Sequence, residues 1–167
     1  MEALESGKID LAQEKFDRAL YCEENFSAAY GGKAIVAALK AKGMADVGYR
    51  GIEVARAEEY LEKAKKLVET DNDRFEYQLA VLRVAPAIKG KDWLDRAEAA
   101  YRAVQSIEKV DERRLDYYQG KEAAAYFMGL AYREGYQFRK AEDKFRETLD
   151  SRKMGKWNEP ADKAWKK

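Results

Sequence analysis

Four times along the chain, a small residue is followed by an aromatic residue or leucine four positions on, and by a small residue three further. The four sets are Ala12–Phe16–Ala19, Ala57–Leu61–Ala64, Ala97–Tyr101–Val104 and Ala141–Phe145–Thr148. Residues three and four apart share one face of a helix, so each set is a stripe on which a neighbouring helix can seat. The small residues let that neighbour come close, and the large one fills the hole beside it. A glycine stands five to seven residues ahead of each set, at Gly7, Gly51, Gly90 and Gly135. Glycine there is expected to end the preceding helix in a left-handed cap and open the turn.

Taken in order, the pattern divides the chain into helix pairs. Met1–Glu5 reads as the tail of a helix, followed by Ile9–Cys22 and then about Ser27–Lys40, with Ser27 as cap. Gly43–Gly51 reads as a glycine-rich connector, with Tyr49 and Arg50 near its tip. Next come helices over roughly Glu53–Glu69 and Arg74–Lys89, with Asp71 or Asp73 capping the second. That second helix is apolar nearly all round, which predicts burial between neighbours, and Pro86 should loosen its last turn. Asp92–Glu108 follows, then a cap at Asp111 and a long helix to about Glu134 with a bend at Gly120, then Gln137–Asp150. Asn158-Glu159-Pro160 has the residues of a helix start, and a capping helix is expected from about residue 158. Both ends read as cut from a longer array, with residues 1–167 one domain.

Composition narrows the function. The chain carries 32 basic and 31 acidic residues, so no charge imbalance points to nucleic acid or an anionic membrane. It has no histidine and a single cysteine, Cys22, which leaves almost no ligands for zinc or haem, and no cofactor is expected. Cys22 sits beside Glu23 and Glu24, which disfavour a thiolate, and it reads as a buried structural residue. A lone thiol suits cytoplasm and periplasm equally. No apolar run approaches a membrane span. Acidic pairs such as Glu58/Glu59 and Glu142/Asp143 lie among lysines and arginines at helical spacing, as on a solvated face. Without histidine or a phosphate-cradling loop, no catalytic set can be assembled, and a non-enzymatic role is expected.

One stretch carries a family pattern. Met128-Gly129, Tyr132, Gly135, Phe138, Ala141 and Phe145 resemble the tetratricopeptide repeat, matching its Leu-Gly, Tyr, turn and Ala-x-x-x-Phe positions. Gly7–Leu20 is similar to the second helix of the same repeat, and Tyr30 stands where the family's tryptophan would open the next one. The copies are extended: the repeating alanines lie 45, 40 and 44 residues apart, against a family period of about 34. Lys33-Ala34 stand where Leu-Gly would be, and Ala125 replaces the tryptophan in the last copy. The resemblance implies an all-α, right-handed solenoid of about four antiparallel helix pairs. Its concave face, lined by the first helix of each pair, would receive a peptide or a partner's helix.

By that resemblance the partner-facing candidates are Tyr30, Ile35, Tyr126, Leu130 and Arg133. Each can equally pack within the array, and Phe16, Tyr60, Tyr101 and Phe145 fall at packing positions outright. Family members that clamp a carboxylate terminus carry Lys, Asn and Arg along the first helices. Here Gly31, Ile35, Tyr126 and Leu130 occupy those places, and Arg133 alone makes no clamp. Tyr49 and Arg50 form a second candidate surface, and Trp157 and Trp165 read as covering the last repeat. The expectation is a non-catalytic protein-interaction scaffold with a protein or peptide partner. A self-assembling module pairing with further copies of itself, or a regulatory domain of a larger protein, are the alternatives.

Overall fold

A computed structural model describes residues 2–108, 110, 121–150 and 158–165. Regular structure among these residues is entirely helical: α1 Glu2–Glu5, α2 Ile9–Cys22, α3 Ser27–Gly43, α4 Val47–Lys66, α5 Asp71–Ile88, α6 Trp93–Ser106, α7 Lys121–Glu134, α8 Phe138–Asp150 and α9 Asn158–Trp165. Consecutive helices pack as neighbours, and in addition α3 lies against α5 and α5 against α7. The odd-numbered helices α3, α5 and α7 therefore form one layer, with α2, α4, α6 and α8 laid along it. A single hydrophobic cluster runs from Ala3 and Leu4 to Ala161 and Ala164.

Side-chain pairs fix the directions. Lys33 meets Asp17, and Lys40 meets Gln13 at 2.6 Å, so α2 and α3 are antiparallel. Tyr132 Oη donates to Glu98 at 3.0 Å and Lys121 Nζ to the Gln105 carbonyl at 2.8 Å, so α6 and α7 are too. Glu134 at the end of α7 accepts from Lys42 at 2.8 Å and pairs with Lys89 at 3.1 Å. The C-terminal ends of α3, α5 and α7 therefore gather at one end of the molecule, where lysines oppose the negative ends of the helix dipoles. The bond from Lys42, assisted by Lys89, holds the Glu134 carboxyl below its usual range.

The inner layer is as covered as its composition demands. No residue of α3 is exposed from Ser27 to Ala41, α5 exposes only Arg74, and α7 only Lys121. The outer helices bury narrow stripes, and these are the ones read from the sequence: Ala57, Leu61 and Ala64 on α4, Ala97 and Val104 on α6, Ala141, Phe145 and Thr148 on α8. On α2 only Ala12 is fully buried, with Phe16 and Ala19 half-buried. Small residues set the approach between inner helices: a Cβ on Gly31 would lie 3.3 Å from Ala80 Cβ. Pro86 leaves the last turn of α5 intact, because the Lys89 N–H still reaches the Ala85 carbonyl at 3.1 Å.

Several local expectations are corrected. The stretch 43–51 is no loop: α3 runs through Gly43, Asp46 accepts from the Tyr49 N–H at 3.0 Å, and Gly48 and Gly51 lie inside α4. The capping aspartate offsets part of the helix cost of two exposed glycines, about 1 kcal/mol each, and the packed stripe of Ala57, Leu61 and Ala64 further along α4 holds the helix. Ser27 is the first residue of α3, not its cap, and its hydroxyl donates to the Ala64 carbonyl at the end of α4. Thr70 caps α5 in a reciprocal box with Asp73: its hydroxyl accepts from Asp73 N–H, and Asp73 Oδ2 accepts from Thr70 N–H at 2.9 Å. Cys22 is exposed, because α2 carries its last turn beyond the packed body.

Of the four turn glycines only Gly7 (φ 73°) is left-handed. Lys8 N–H to Ala3 O and Gly7 N–H to Leu4 O complete the helix-ending bond pair around it. The same pair closes α7, from Gln137 N–H to Tyr132 O at 2.8 Å and Tyr136 N–H to Arg133 O at 3.1 Å, but Tyr136 (φ 59°) takes the left-handed place. Gly135 instead sits close against α6: a Cβ there would lie 3.2 Å from Leu94 Cδ2, which a small shift of that side chain would relieve. After α5 the left-handed residue is Lys89 (φ 46°), not Gly90. The cap at Asp111, the bend at Gly120 and Trp157 lie outside the described residues, as does the Trp165 side chain.

Candidate functional site

The sequence-derived candidates fall into three places. Tyr126, Leu130 and Arg133 share one side of α7 by their spacing, and all three are half-buried. Tyr126 leans on α8, with its ring 6.1 Å from that of Phe145, and Arg133 Nη1 donates to the Ala164 carbonyl of α9 at 3.4 Å. This side of α7 thus looks onto the last two helices and keeps part of each side chain in solvent. Tyr30, on α3, lies 6.4 Å from the Tyr60 ring of α4, with Lys63 within 5.8 Å of both rings. Ile35 is 3% exposed, and as a core residue it offers a partner nothing. α5 stands between α3 and α7, so the structure does not join the two groups into one patch.

Tyr49 and Arg50 are exposed as expected, but on the projecting start of α4. Every residue from Ala45 to Ile52 is exposed, and Val47 reaches 83%. An exposed aromatic pair, Tyr136 and Phe138, sits edge to face at 6.2 Å at the same end of the layer. Sequence reasoning passed over that pair, because Phe138 was assigned to the repeat signature.

Another feature was missed as well. Between α2 and α4, over α3, lies a cavity of about 110 Å³. Val36 and Ala37 form its floor, and Gln13, Lys33, Lys40, Glu53, Arg56 and Tyr60 its walls. Burial works against the Lys33 charge, but the Asp17 carboxylate and the Tyr60 ring 4.8 Å away outweigh it and hold the ammonium above the ordinary lysine value. Glu53, buried, pairs with Arg56 one turn on. The signal was present as Lys33-x-x-Val36-Ala37-x-x-Lys40, a face with a cation at each end. Nothing in one helix announces that two others will wall it in.

Elsewhere, charged groups bind helix to helix. Arg96 of α6 grips Glu58 of α4 with both nitrogens, the second at 2.9 Å. Tyr101 donates to Glu147 at 2.6 Å and accepts from Lys144 at 3.0 Å. On α5, burial, helped by Asp73, pushes the Glu76 carboxyl up to about 7. Among the described residues no group of three His, Cys, Asp or Glu side chains is placed to hold a metal, and no helix is long and apolar enough to cross a membrane.

Among the described residues these features define an all-helical protein whose helices pack in neighbouring pairs. No protein-family model matches the chain, and no curated protein or solved structure is significantly similar to it.

Proposed function

We propose that the chain is a non-catalytic scaffold of tetratricopeptide-like repeats that binds a peptide or a partner's helix along its inner layer. One observation carries this reading: α3, α5 and α7 lie side by side, and each is followed by a helix packed against it. A stack in which each pair touches mainly its neighbours buries a continuous core and leaves partly exposed side chains along the inner layer for a ligand. Tyr126, Leu130 and Arg133, half-buried where α7 meets α8 and α9, are the residues we assign to partner contact, with Tyr30 at the other end. Half-buried aromatic and arginine side chains suit such a role, since they are already ordered before a partner arrives.

Peptide-library selection against the purified protein tests the reading. Selected peptides should lose binding when Tyr126 and Leu130 are both changed to Lys, with the far-ultraviolet circular dichroism unchanged. Retention of binding by that double variant would remove the inner-face assignment. A second reading, association of copies with one another, is favoured by the exposed Val47, Tyr49 and Ile52 on the start of α4. Light scattering over a concentration series separates the two, because a mass that stays at 19.2 kDa leaves no self-assembly to explain.

A further inference from the structure

The cavity between α2 and α4 presents three cations, Lys33, Lys40 and Arg56, against one wall carboxylate, Glu53. We propose that it is a carboxylate-binding site, taking one carboxylate group between the Lys40 ammonium and the Arg56 guanidinium. The inference does not rest on the scaffold reading: the α7 residues Tyr126, Leu130 and Arg133 take no part in the cavity, and only Tyr30 adjoins it, through the Tyr60 ring.

The three cations are not equally engaged. Lys33 is held tightly by Asp17 and the Tyr60 ring. Arg56 reaches Glu53 through Nη1, which leaves the rest of its five-donor fork for another acceptor. Lys40 donates to the Gln13 amide oxygen at 2.6 Å and pairs at 3.3 Å with Asp10, whose side chain is 97% exposed. An ion pair with so solvated an acid is weak, and an incoming carboxylate displaces it at little cost. The ligand class follows from the walls. A cation meets three like charges. An apolar group strands the polar heads without partners. Phosphate is the competing anion, and the titration separates the two. The volume of about 110 Å³ is room for roughly three or four waters at about 30 Å³ each, or for one carboxylate and its adjoining methylene.

The carboxylate belongs either to a free small acid or to an acidic side chain on a peptide. Nitrogen-labelled protein at pH 7 and constant ionic strength is titrated with acetate, with the capped tripeptide Gly-Glu-Gly, and with inorganic phosphate, following the Val36 and Ala37 amide resonances. Saturable shifts are expected with both carboxylates. Lys40→Gln and Arg56→Gln should each weaken them by at least about tenfold, the scale of one charge-assisted hydrogen bond. Lys42→Gln, the same charge change on the opposite side of α3, should leave them alone. Equal affinity for acetate and tripeptide assigns the site to free acids, and a tenfold preference for the tripeptide assigns it to acidic side chains; either supports the proposal. Absence of saturable shifts, an unchanged response in both variants, or tighter binding of phosphate than acetate would overturn it.

Discussion

Two glycine–phenylalanine joints sit at opposite ends of the layer, and they are built alike. A Cβ on Gly129 would lie 2.5 Å from Phe145 Cε1, and a Cβ on Gly32 would fall closer still to the Phe16 ring. Each helix backbone is thus the seat for an aromatic ring. The order along the chain is reversed, however. Phe145 comes from the helix after its glycine, and Phe16 from the helix before. The surroundings differ too: Phe145 is 2% exposed, whereas Phe16 is half-buried at the edge. The lesson is that an Ala-x-x-x-Phe stripe specifies a ring to be seated but not which neighbour supplies the seat.

The comparison breaks most readily at the rings. Phe145→Ala should cost about 3–5 kcal/mol, and Phe16→Ala about half as much, because its ring leaves less of a cavity. Urea denaturation measures both, and equal losses would dissolve the distinction between a buried joint and a marginal one. Adding a methyl to the seat comes next. Gly129→Ala should destabilise by about 2–3 kcal/mol through overpacking against an immobile ring, and Gly32→Ala by about 1 kcal/mol, since Phe16 can swing outward. Trimming Phe145 to Leu in the Gly129→Ala background should restore part of the loss.

Between the joints lies α5, where the strain is electrostatic. Glu76 titrates at about 7 in the folded protein against 4.5 as its ordinary value, so the folded state holds the proton more tightly. Stability is therefore fully present below about pH 4.5 and declines as pH rises through 7. Glu76→Gln should remove that decline and raise stability at pH 8 by roughly 2–3 kcal/mol, with little effect at pH 4.5. Melting temperatures of the two proteins that run parallel across this window would assign the strain back to the joints. The smallest effect is expected at the chain reversals: Tyr136→Gly should stabilise by about 0.5–1 kcal/mol, by relieving a left-handed tyrosine at the loss of its contact with Phe138.

Much of this architecture could be read from residue order, because the stripes on α4, α6 and α8 repeat at helical spacing and burial follows them. The all-round apolar α5 was legible for the same reason. Misreadings arose where one residue's local preference was taken for the outcome. Glycines at 48 and 51 suggested a loop, yet Asp46 starts a helix over them. Gly135 suggested a left-handed turn, yet the left-handed place falls one residue on, at Tyr136. The candidate site was less legible. Whether Ile35 faces solvent or the core depends on where the neighbouring helices land, and the α2–α4 cavity joins residues from three helices. Such groupings are made by tertiary packing alone.

The exposed Cys22 has a practical reach beyond its place at the end of α2. As the chain's single thiol, it accepts one fluorophore or nitroxide without any background to delete. Such a probe stands six residues beyond Phe16 on the same helix, so its spectrum should register the loosening of that edge separately from global unfolding. Under oxidising conditions the same thiol links two copies at a known point, giving a covalent ruler for any contact that forms at this end of the molecule.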